Sequence, residues 1–179
     1  MTDVEDKFFI TRFITLFMDL KKLVKFLVEA KKKTYASANK MNIDLERPLH
    51  DELEFSNGEF YYRDSYVGFF QAPGIEEVRL GEEGKTIWTM AYSGGMLPKY
   101  QGMLNILFAK KTFGFLKKAL NLVEESKPYR GPEKLEEGDW KYESSVKGDI
   151  KRFIGHEKIF FKGEEVFSQD YIGGLVLDK

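Results

Sequence analysis

The chain has 179 residues, which is enough for one well-packed domain or for two small ones. Its 42% apolar and 15% aromatic residues exclude a disordered chain, and its net charge of −1 gives no overall attraction to nucleic acid or to an anionic membrane. The absence of cysteine excludes disulfides, thiolate catalysis and cysteine-based zinc sites, and it is typical of a reducing compartment. We therefore expect a cytoplasmic protein that by itself binds neither nucleic acid nor membrane.

The first third of the chain begins with a helical pattern over residues 6–33. Apolar residues recur there at spacings of three and four: Phe9, Phe13, Leu16, Leu20, Leu23, Leu27 and Ala30. Arg12 and Asp19 interrupt the apolar run, which is shorter than the ~20 apolar residues of a membrane span. We expect residues 1–22 to form an extra apolar helix that caps the core or mediates self-association, and we expect a homo-oligomer.

A motif of about 40 residues occurs twice, first from Ser56 to Gly95 and again from Glu136 to Gly174. The residues Gly58, Tyr62, Ser65, Gly68, Gly74, Glu76, Tyr92, Gly94 and Gly95 recur as Gly138, Tyr142, Ser145, Gly148, Gly155, Glu157, Tyr171, Gly173 and Gly174. Such self-similarity indicates one structural unit present twice. We expect the copies to superpose by a rotation near twofold, with Tyr62 on Tyr142 and Tyr92 on Tyr171.

Each copy has the pattern of short antiparallel strands. Asn57-Gly58 is a strong hairpin signal, and residues 86–92 are rich in β-branched and aromatic side chains. Helical spacing returns over residues 101–126, before a turn-forming segment at 128–132. The order of helix, four strands, helix and three or four strands predicts an α+β fold: an internally duplicated unit of helix plus antiparallel strands, related by a pseudo-twofold axis.

We expect residues 23–179 to form a single α+β domain built from repeats at about 50–97 and 133–177. The alternative is that each copy forms a separate small domain.

The Gly-Gly pairs at 94–95 and 173–174 predict strand-ending turns with positive φ.

Several segments together resemble an uncharacterised family of domains of unknown function. They are FLVEAKKKTYAS at 26–37, the run from Arg47 to Gly68, IWTMAYSGG, PYRGPE at 128–133 and the closing DYIGGLV. The resemblance implies a domain from Leu23 to the C-terminus, and members occur alone in bacteria and archaea or behind a helix-turn-helix of the XRE type. Members often read RPGSHD where this chain has RPLHD at 47–51, and Tyr-x-Gly-Arg where it has Tyr92-Ser93-Gly94-Gly95. The resemblance implies no particular activity.

Candidate binding residues follow from the alternation of side chains along strands. Alternate side chains of a strand share a face. Tyr62, Asp64 and Tyr66 therefore lie on one face of their predicted strand, and Trp88 and Tyr92 lie on one face of the predicted strand at 86–92. Polar-tipped aromatic residues on a concave sheet suit a small-molecule pocket, although such residues also form ordinary cross-strand pairs. The second copy replaces Asp64 with Ser144, Tyr66 with Val146 and Trp88 with Phe167, so we expect any site to lie in the first copy.

Arg130 is the cation of the linker between the two copies. Its guanidinium can bind an anionic ligand at the predicted face, or it can instead hold the linker against nearby glutamates. The predicted ligand-binding residues are therefore Tyr62, Asp64, Tyr66, Trp88, Tyr92 and Arg130.

The sequence contains no recognised catalytic pattern such as G-x-S-x-G, H-E-x-x-H or S-x-x-K. His50 beside Asp51 and Glu52 is compatible with a base or a metal ligand, but a metal site needs three or four ligands and the other histidine is His156. We expect no metal, no cofactor and no catalytic residue. The preferred function is noncatalytic binding of a small molecule or partner; the alternatives are a hydrolase or isomerase with Tyr/Asp acid-base groups, and a structural dimer.

Overall fold

The computed structural model describes residues 19–34 and 49–177. Within these ranges the two helices are α1 (Leu20–Lys33) and α2 (Ile106–Leu120). The strands are β1 (Asp51–Asn57), β2 (Phe60–Tyr66), β3 (Gly74–Leu80), β4 (Thr86–Met96), β5 (Lys134–Glu137), β6 (Trp140–Asp149), β7 (Arg152–Phe161) and β8 (Glu164–Leu175). The apolar helix predicted for residues 1–22 lies mostly outside the described residues.

The eight strands form one antiparallel sheet with the order β1-β2-β3-β4-β8-β7-β6-β5. From either edge the strands follow chain order towards the centre, where β4 pairs with β8. In that central pair Tyr92 lies directly opposite Tyr171. Two helices on a fully antiparallel sheet make the fold α+β, which confirms the predicted class.

Helix α1 begins after Asp19, whose carboxylate accepts hydrogen bonds from the backbone N–H groups of Lys21 and Lys22. Its buried face contributes Leu23, Phe26, Leu27 and Ala30 to a core shared with strands β2, β3 and β4. Helix α2 buries Phe115, Leu116, Ala119 and Leu120 in a second core, where they pack with Tyr142, Ile159, Val166 and Phe167. In the described part of the chain, no helix is both long and apolar enough to cross a bilayer.

The Gly-Gly pairs do not end their strands, so that part of the prediction was wrong, whereas the predicted positive φ is confirmed at Gly94, Gly95 and Gly174. β4 continues to Met96 and β8 continues to Leu175, beyond both pairs. A Cβ atom on Gly94 would lie 2.3 Å from the Ser168 carbonyl oxygen, and one on Gly173 would lie 2.2 Å from the Thr89 carbonyl oxygen. These positions require glycine because neighbouring backbone approaches too closely for any side chain.

Candidate functional site

The strand face that carries most of the predicted site residues is buried beneath helices. Tyr62, Asp64, Trp88 and Tyr92 are buried on the helix-covered face, as the alternation along β2 and β4 predicted. On the opposite face of β2, the Arg63 guanidinium and the Ser65 hydroxyl donate hydrogen bonds to the Glu52 carboxylate.

A first network of polar side chains lies beneath α1, and it consists of Lys31, Tyr62, Asp64, Glu76 and Tyr92. The Lys31 ammonium forms an ion pair with Glu76 and lies 6.0 Å from the ring centroid of Tyr62 and 5.9 Å from that of Trp88. The Tyr92 hydroxyl donates a 2.8 Å hydrogen bond to the Asp64 carboxylate. All five residues are at most 8% exposed, so the network is shielded from bulk water.

Burial changes the proton affinities in the first network. Burial, and then the charge of Glu76, raise the pKa of Asp64 to about 7. Burial also lowers the pKa of the Lys31 ammonium; Arg130 acts in the same direction, whereas the ion pair with Glu76 opposes it. Two of the network's groups are therefore shifted towards their neutral forms, which is a frequent property of functional sites.

Two buried polar groups, one in this network and one next to it, lack hydrogen-bond partners among the described residues. They are the Tyr62 hydroxyl and the Trp88 indole N–H, and both residues are fully buried. Burial and the charge of Glu76 raise the pKa of Tyr62 well above its ordinary value, so this hydroxyl keeps its proton. Its polar contact with the Glu76 carboxylate adds to the shift but lies outside hydrogen-bond geometry. Unsatisfied buried donors are rare because each costs about 1–3 kcal/mol.

A small cavity lies between the first network and the segment that follows α2. It has a volume of about 10 Å³, which is room for roughly one water molecule. Its lining consists of Lys31, Tyr62, Glu76, Leu120, Val123, Tyr129 and Arg130. Lys31, Glu76 and Arg130 therefore bring charged groups to this lining, and Leu120 and Val123 bring apolar ones.

A second network surrounds Arg130 and consists of Arg130, Tyr142, Ser144, Glu157, Gln169 and Tyr171. Arg130 donates two hydrogen bonds to one oxygen of Glu157, at 3.1 Å from Nε and 2.8 Å from Nη2. The other oxygen of Glu157 accepts a 2.7 Å bond from the Tyr142 hydroxyl. That hydroxyl also accepts a 3.1 Å bond from the Gly131 backbone N–H. Arg130 thus holds the linker against Glu157, one of the two roles that the sequence allowed.

The structure brings most of the predicted site residues together. Arg130 joins the two networks, because its Nη1 lies 3.7 Å from Glu76 and its guanidinium lies 5.5 Å from the Tyr92 ring centroid. Trp88 packs beside the first network, stacked on Phe153. Tyr66 lies at the border of the same core and is only partly buried. His50 precedes β1 and lines no part of the cavity.

Sequence reasoning did not identify Lys31 and Glu76 as parts of this site. Lys31 stands in the run Lys31–Lys33, outside the apolar residues of the predicted helix, but only 6% of Lys31 is exposed. Glu76 was noted as one of the repeated residues. That recurrence, as Glu157, was the signal that marked its importance.

A row of Ser168, His156 and Asp170 lies on the sheet face opposite the two networks. His156 Nδ1 lies 2.5 Å from Asp170 Oδ1, and His156 Nε2 lies 3.4 Å from Ser168 Oγ. Ser168 is paired with β4 on one side and β7 on the other, so the backbone around it is engaged in the sheet and provides no oxyanion hole. Across the described ranges, no group of three or more His, Asp or Glu side chains could hold a metal ion.

The chain belongs to a protein family described as a domain of unknown function, DUF5680, which matches residues 64–176. The match includes Asp64, Glu76, Tyr92 and Arg130, and it begins after Lys31 and Tyr62. No curated protein and no solved structure matches the chain.

Proposed function

We propose that this protein is a noncatalytic small-molecule-binding domain whose ligand binds at the cavity between the first network and the segment after α2. The observation that carries the proposal is the fully buried Tyr62 hydroxyl, which lines the cavity together with Lys31, Glu76 and Arg130 and makes no hydrogen bond there. A bound ligand would supply the acceptor that this hydroxyl lacks. A resemblance to domains that follow a helix-turn-helix module, where the second domain often senses a ligand, supports the proposal by analogy.

Stability alone gives no reason for so many buried charges. Lys31, Arg130, Asp64, Glu76 and Glu157 are each at most 6% exposed. Replacing a buried ionic cluster with apolar side chains of similar volume is often neutral or stabilising, because desolvation costs as much as the ion pairs return. A cluster of this kind beside a cavity is therefore better explained by ligand binding.

The charges around the cavity favour an uncharged ligand. Lys31 is paired with Glu76 and Arg130 with Glu157, while the pKa of Asp64 at about 7 leaves its carboxyl partly protonated near neutral pH. A charged ligand would disturb this balance in a buried site. Because the Tyr62 hydroxyl is a donor, the expected ligand is a small molecule with an oxygen acceptor and an apolar end facing Leu120 and Val123.

Thermal denaturation with a panel of small amides, alcohols, aldehydes, ketones, carboxylates, phosphates and amines tests the proposal. A ligand at 100 times its Kd stabilises a protein by about 2.7 kcal/mol, which raises Tm by several degrees for a chain of this size. We expect an uncharged oxygen compound to give this shift in the wild type and a smaller one in Tyr62→Phe. The matched control is Tyr61→Phe, the adjacent tyrosine on the opposite face of β2, which should respond like the wild type.

Two outcomes reject the proposal. If no compound in the panel stabilises the wild type, the domain is not a receptor for these classes of ligand. If a compound stabilises Tyr62→Phe and Tyr61→Phe equally, it binds at a different place.

Acid-base catalysis is the second candidate, and the Asp64–Tyr92 pair is the observation that favours it. A carboxyl group with a pKa of about 7, hydrogen-bonded at 2.8 Å to a tyrosine, has the properties of a general acid or base at neutral pH. A hydrolase or isomerase of this kind would show activity that changes around pH 7 and disappears in Asp64→Asn. Binding without turnover of any panel compound would favour the receptor.

We also propose that the two halves of the chain arose by duplication and are related by a pseudo-twofold axis at the Tyr92–Tyr171 pair. The strand order that mirrors about β4 and β8 supports this, as do matching positions such as Gly74 beneath Tyr92 and Gly155 beneath Tyr171. Superposing β1–β4 on β5–β8 tests it: Tyr62 should fall on Tyr142 and Glu76 on Glu157. Tyrosines on opposite faces of the superposed sheet would reject it.

Self-association in the cytoplasm is proposed from the sequence alone. The apolar helix predicted for residues 1–22 lies mostly outside the described residues, and its Phe9 and Phe13 would expose apolar surface on an isolated helix. Deleting residues 1–18 should lower the mass measured by sedimentation equilibrium or lower Tm. If both stay unchanged, this segment neither joins chains nor caps the core.

A further inference from the structure

We propose that Lys31 forms an imine with a small aldehyde or ketone that binds in the cavity, which makes this lysine a reactive amine and defines the ligand as a carbonyl compound. The inference rests on the proposed small-molecule function. It also assigns a chemical step to Lys31, which the binding proposal treats only as part of the cavity lining.

The geometry places the three groups that imine formation needs around one cavity. Lys31 supplies the amine, Glu76 is ion-paired with it, and the unpartnered Tyr62 hydroxyl lines the same cavity. A carbonyl oxygen would accept the hydrogen bond that this hydroxyl lacks, which would place the carbonyl carbon on the lysine side. Leu120, Val123 and Tyr129 form the apolar wall that faces the substituent.

The surroundings of Lys31 favour a nucleophilic amine over a permanent cation. Its side chain is 7% exposed, and the Arg130 guanidinium shares the ion-pair partner Glu76 with it. Burial and the nearby cation lower the pKa of Lys31, as in other lysines that react with carbonyl groups. The close contact with Glu76 opposes this shift, but it also provides the base that receives the proton.

The step balances with these residues alone. Glu76 takes a proton from the Lys31 ammonium. The free amine attacks the carbonyl carbon, and one of its N–H protons passes to the carbonyl oxygen to give a neutral carbinolamine. Glu76 then returns the proton to the departing hydroxyl group, which leaves as water, and a protonated imine remains beside the Glu76 carboxylate. Net charge is unchanged, one water is released, and no oxidant or reductant takes part.

The size of the cavity limits the ligand. A volume of about 10 Å³ holds roughly one water molecule, so even a ketone of four heavy atoms needs the wall to move. The segment that carries Val123 and Tyr129 forms short turns after α2, and we expect it to move outward. Small ketones and aldehydes should therefore react before larger ones.

Reductive trapping tests the proposal on the wild-type protein. We would incubate it with acetone and sodium cyanoborohydride at pH 7 and quantify the labelling of each lysine by peptide mass spectrometry. We expect Lys31 to be labelled at least tenfold faster than Lys99 and Lys162, whose side chains are 68% and 66% exposed. A buried lysine with only a structural role would react more slowly than these two, so labelling at or below their rate overturns the proposal.

Glu76→Gln provides a second measurement. Without the carboxyl group that returns a proton to the departing hydroxyl, labelling of Lys31 should fall at least tenfold while labelling of Lys99 stays unchanged; equal labelling of Lys31 in both proteins contradicts the proposed step. If acetone raises Tm and Lys31 is not labelled, ligand binding stands and the imine is rejected. If no compound of the panel raises Tm and Lys31 is not labelled, both proposals are rejected.

Discussion

The first and second networks lie on the same face of the sheet, on either side of the central β4–β8 pair, and they use similar groups. Each has a tyrosine near a glutamate, a cation paired with that glutamate, and a second tyrosine whose hydroxyl contacts a short polar side chain. Tyr92 contacts Asp64 at 2.8 Å in the first network, and Tyr171 contacts Ser144 at 3.0 Å in the second. The backbone position beneath each of these tyrosines is a glycine, Gly74 in one case and Gly155 in the other.

The networks differ in how completely their hydrogen bonds are satisfied. Glu157 accepts bonds from Arg130, Tyr142 and Gln169, and its network is closed. In the first network the Tyr62 hydroxyl has no partner, and the cation is a lysine, which can lose its proton. A satisfied network fixes structure, whereas an unsatisfied one beside a cavity is where binding or chemistry is expected.

The largest expected difference follows from the two glutamates. Glu157→Gln leaves a buried arginine that cannot lose its proton, and we expect a loss of about 3–5 kcal/mol in the free energy of unfolding. Glu76→Gln leaves a buried lysine that can become neutral, so we expect a smaller loss of about 1–3 kcal/mol. Urea denaturation at pH 7 measures both. Equal losses would contradict the distinction between a structural and a reactive network.

The pH dependence of stability distinguishes Asp64 from Ser144. The pKa of Asp64 is raised from 3.8 to about 7 in the folded protein, so between these values the folded state holds a proton that the unfolded state has lost. Stability therefore falls as pH rises through this window, by at most about 1.4 kcal/mol per pH unit for one proton.

Asp64→Asn removes this proton, so its stability relative to the wild type should increase from pH 4 to pH 7. Urea denaturation across that range measures the change, and Ser144→Ala is the control that should keep the wild-type slope. A parallel pH profile for Asp64→Asn and the wild type would show that Asp64 titrates normally.

The sequence predicted the class of fold and part of the site, and the failures have physical causes. Alternation along β2 placed Tyr62 and Asp64 on one face because a strand has only two faces. It could not show that Lys31 enters the same core, because a lysine beside Lys32 and Lys33 normally lies in solvent. The Gly-Gly pairs were predicted as turns because close approach between strands, which their positions require, leaves no signal in a single sequence.

The glycines beneath Tyr92 and Tyr171 provide a test of the proposed symmetry. A Cβ atom at Gly74 would lie 2.4 Å from the Tyr92 hydroxyl oxygen, and one at Gly155 would lie 2.1 Å from Tyr171 Cζ. We expect Gly74→Ala and Gly155→Ala each to lower stability by about 1–3 kcal/mol through overpacking. Gly114→Ala, in α2 with no atom within 4 Å, should instead stabilise by about 0.5–1 kcal/mol. A large loss at only one of the two positions would contradict the symmetry.

The smallest effects come from removing one tyrosine hydroxyl from each network. Tyr142→Phe leaves the Gly131 N–H and one Glu157 oxygen without their partner, so we expect a loss of about 1–3 kcal/mol. Tyr62→Phe removes a buried hydroxyl that has no hydrogen bond among the described residues, so we expect no loss and a gain of up to about 1–3 kcal/mol. Chemical denaturation of both variants without added ligand measures the contrast. A loss at Tyr62 as large as that at Tyr142 would mean that this hydroxyl already has a partner, and the unsatisfied donor on which the binding proposal rests would be gone.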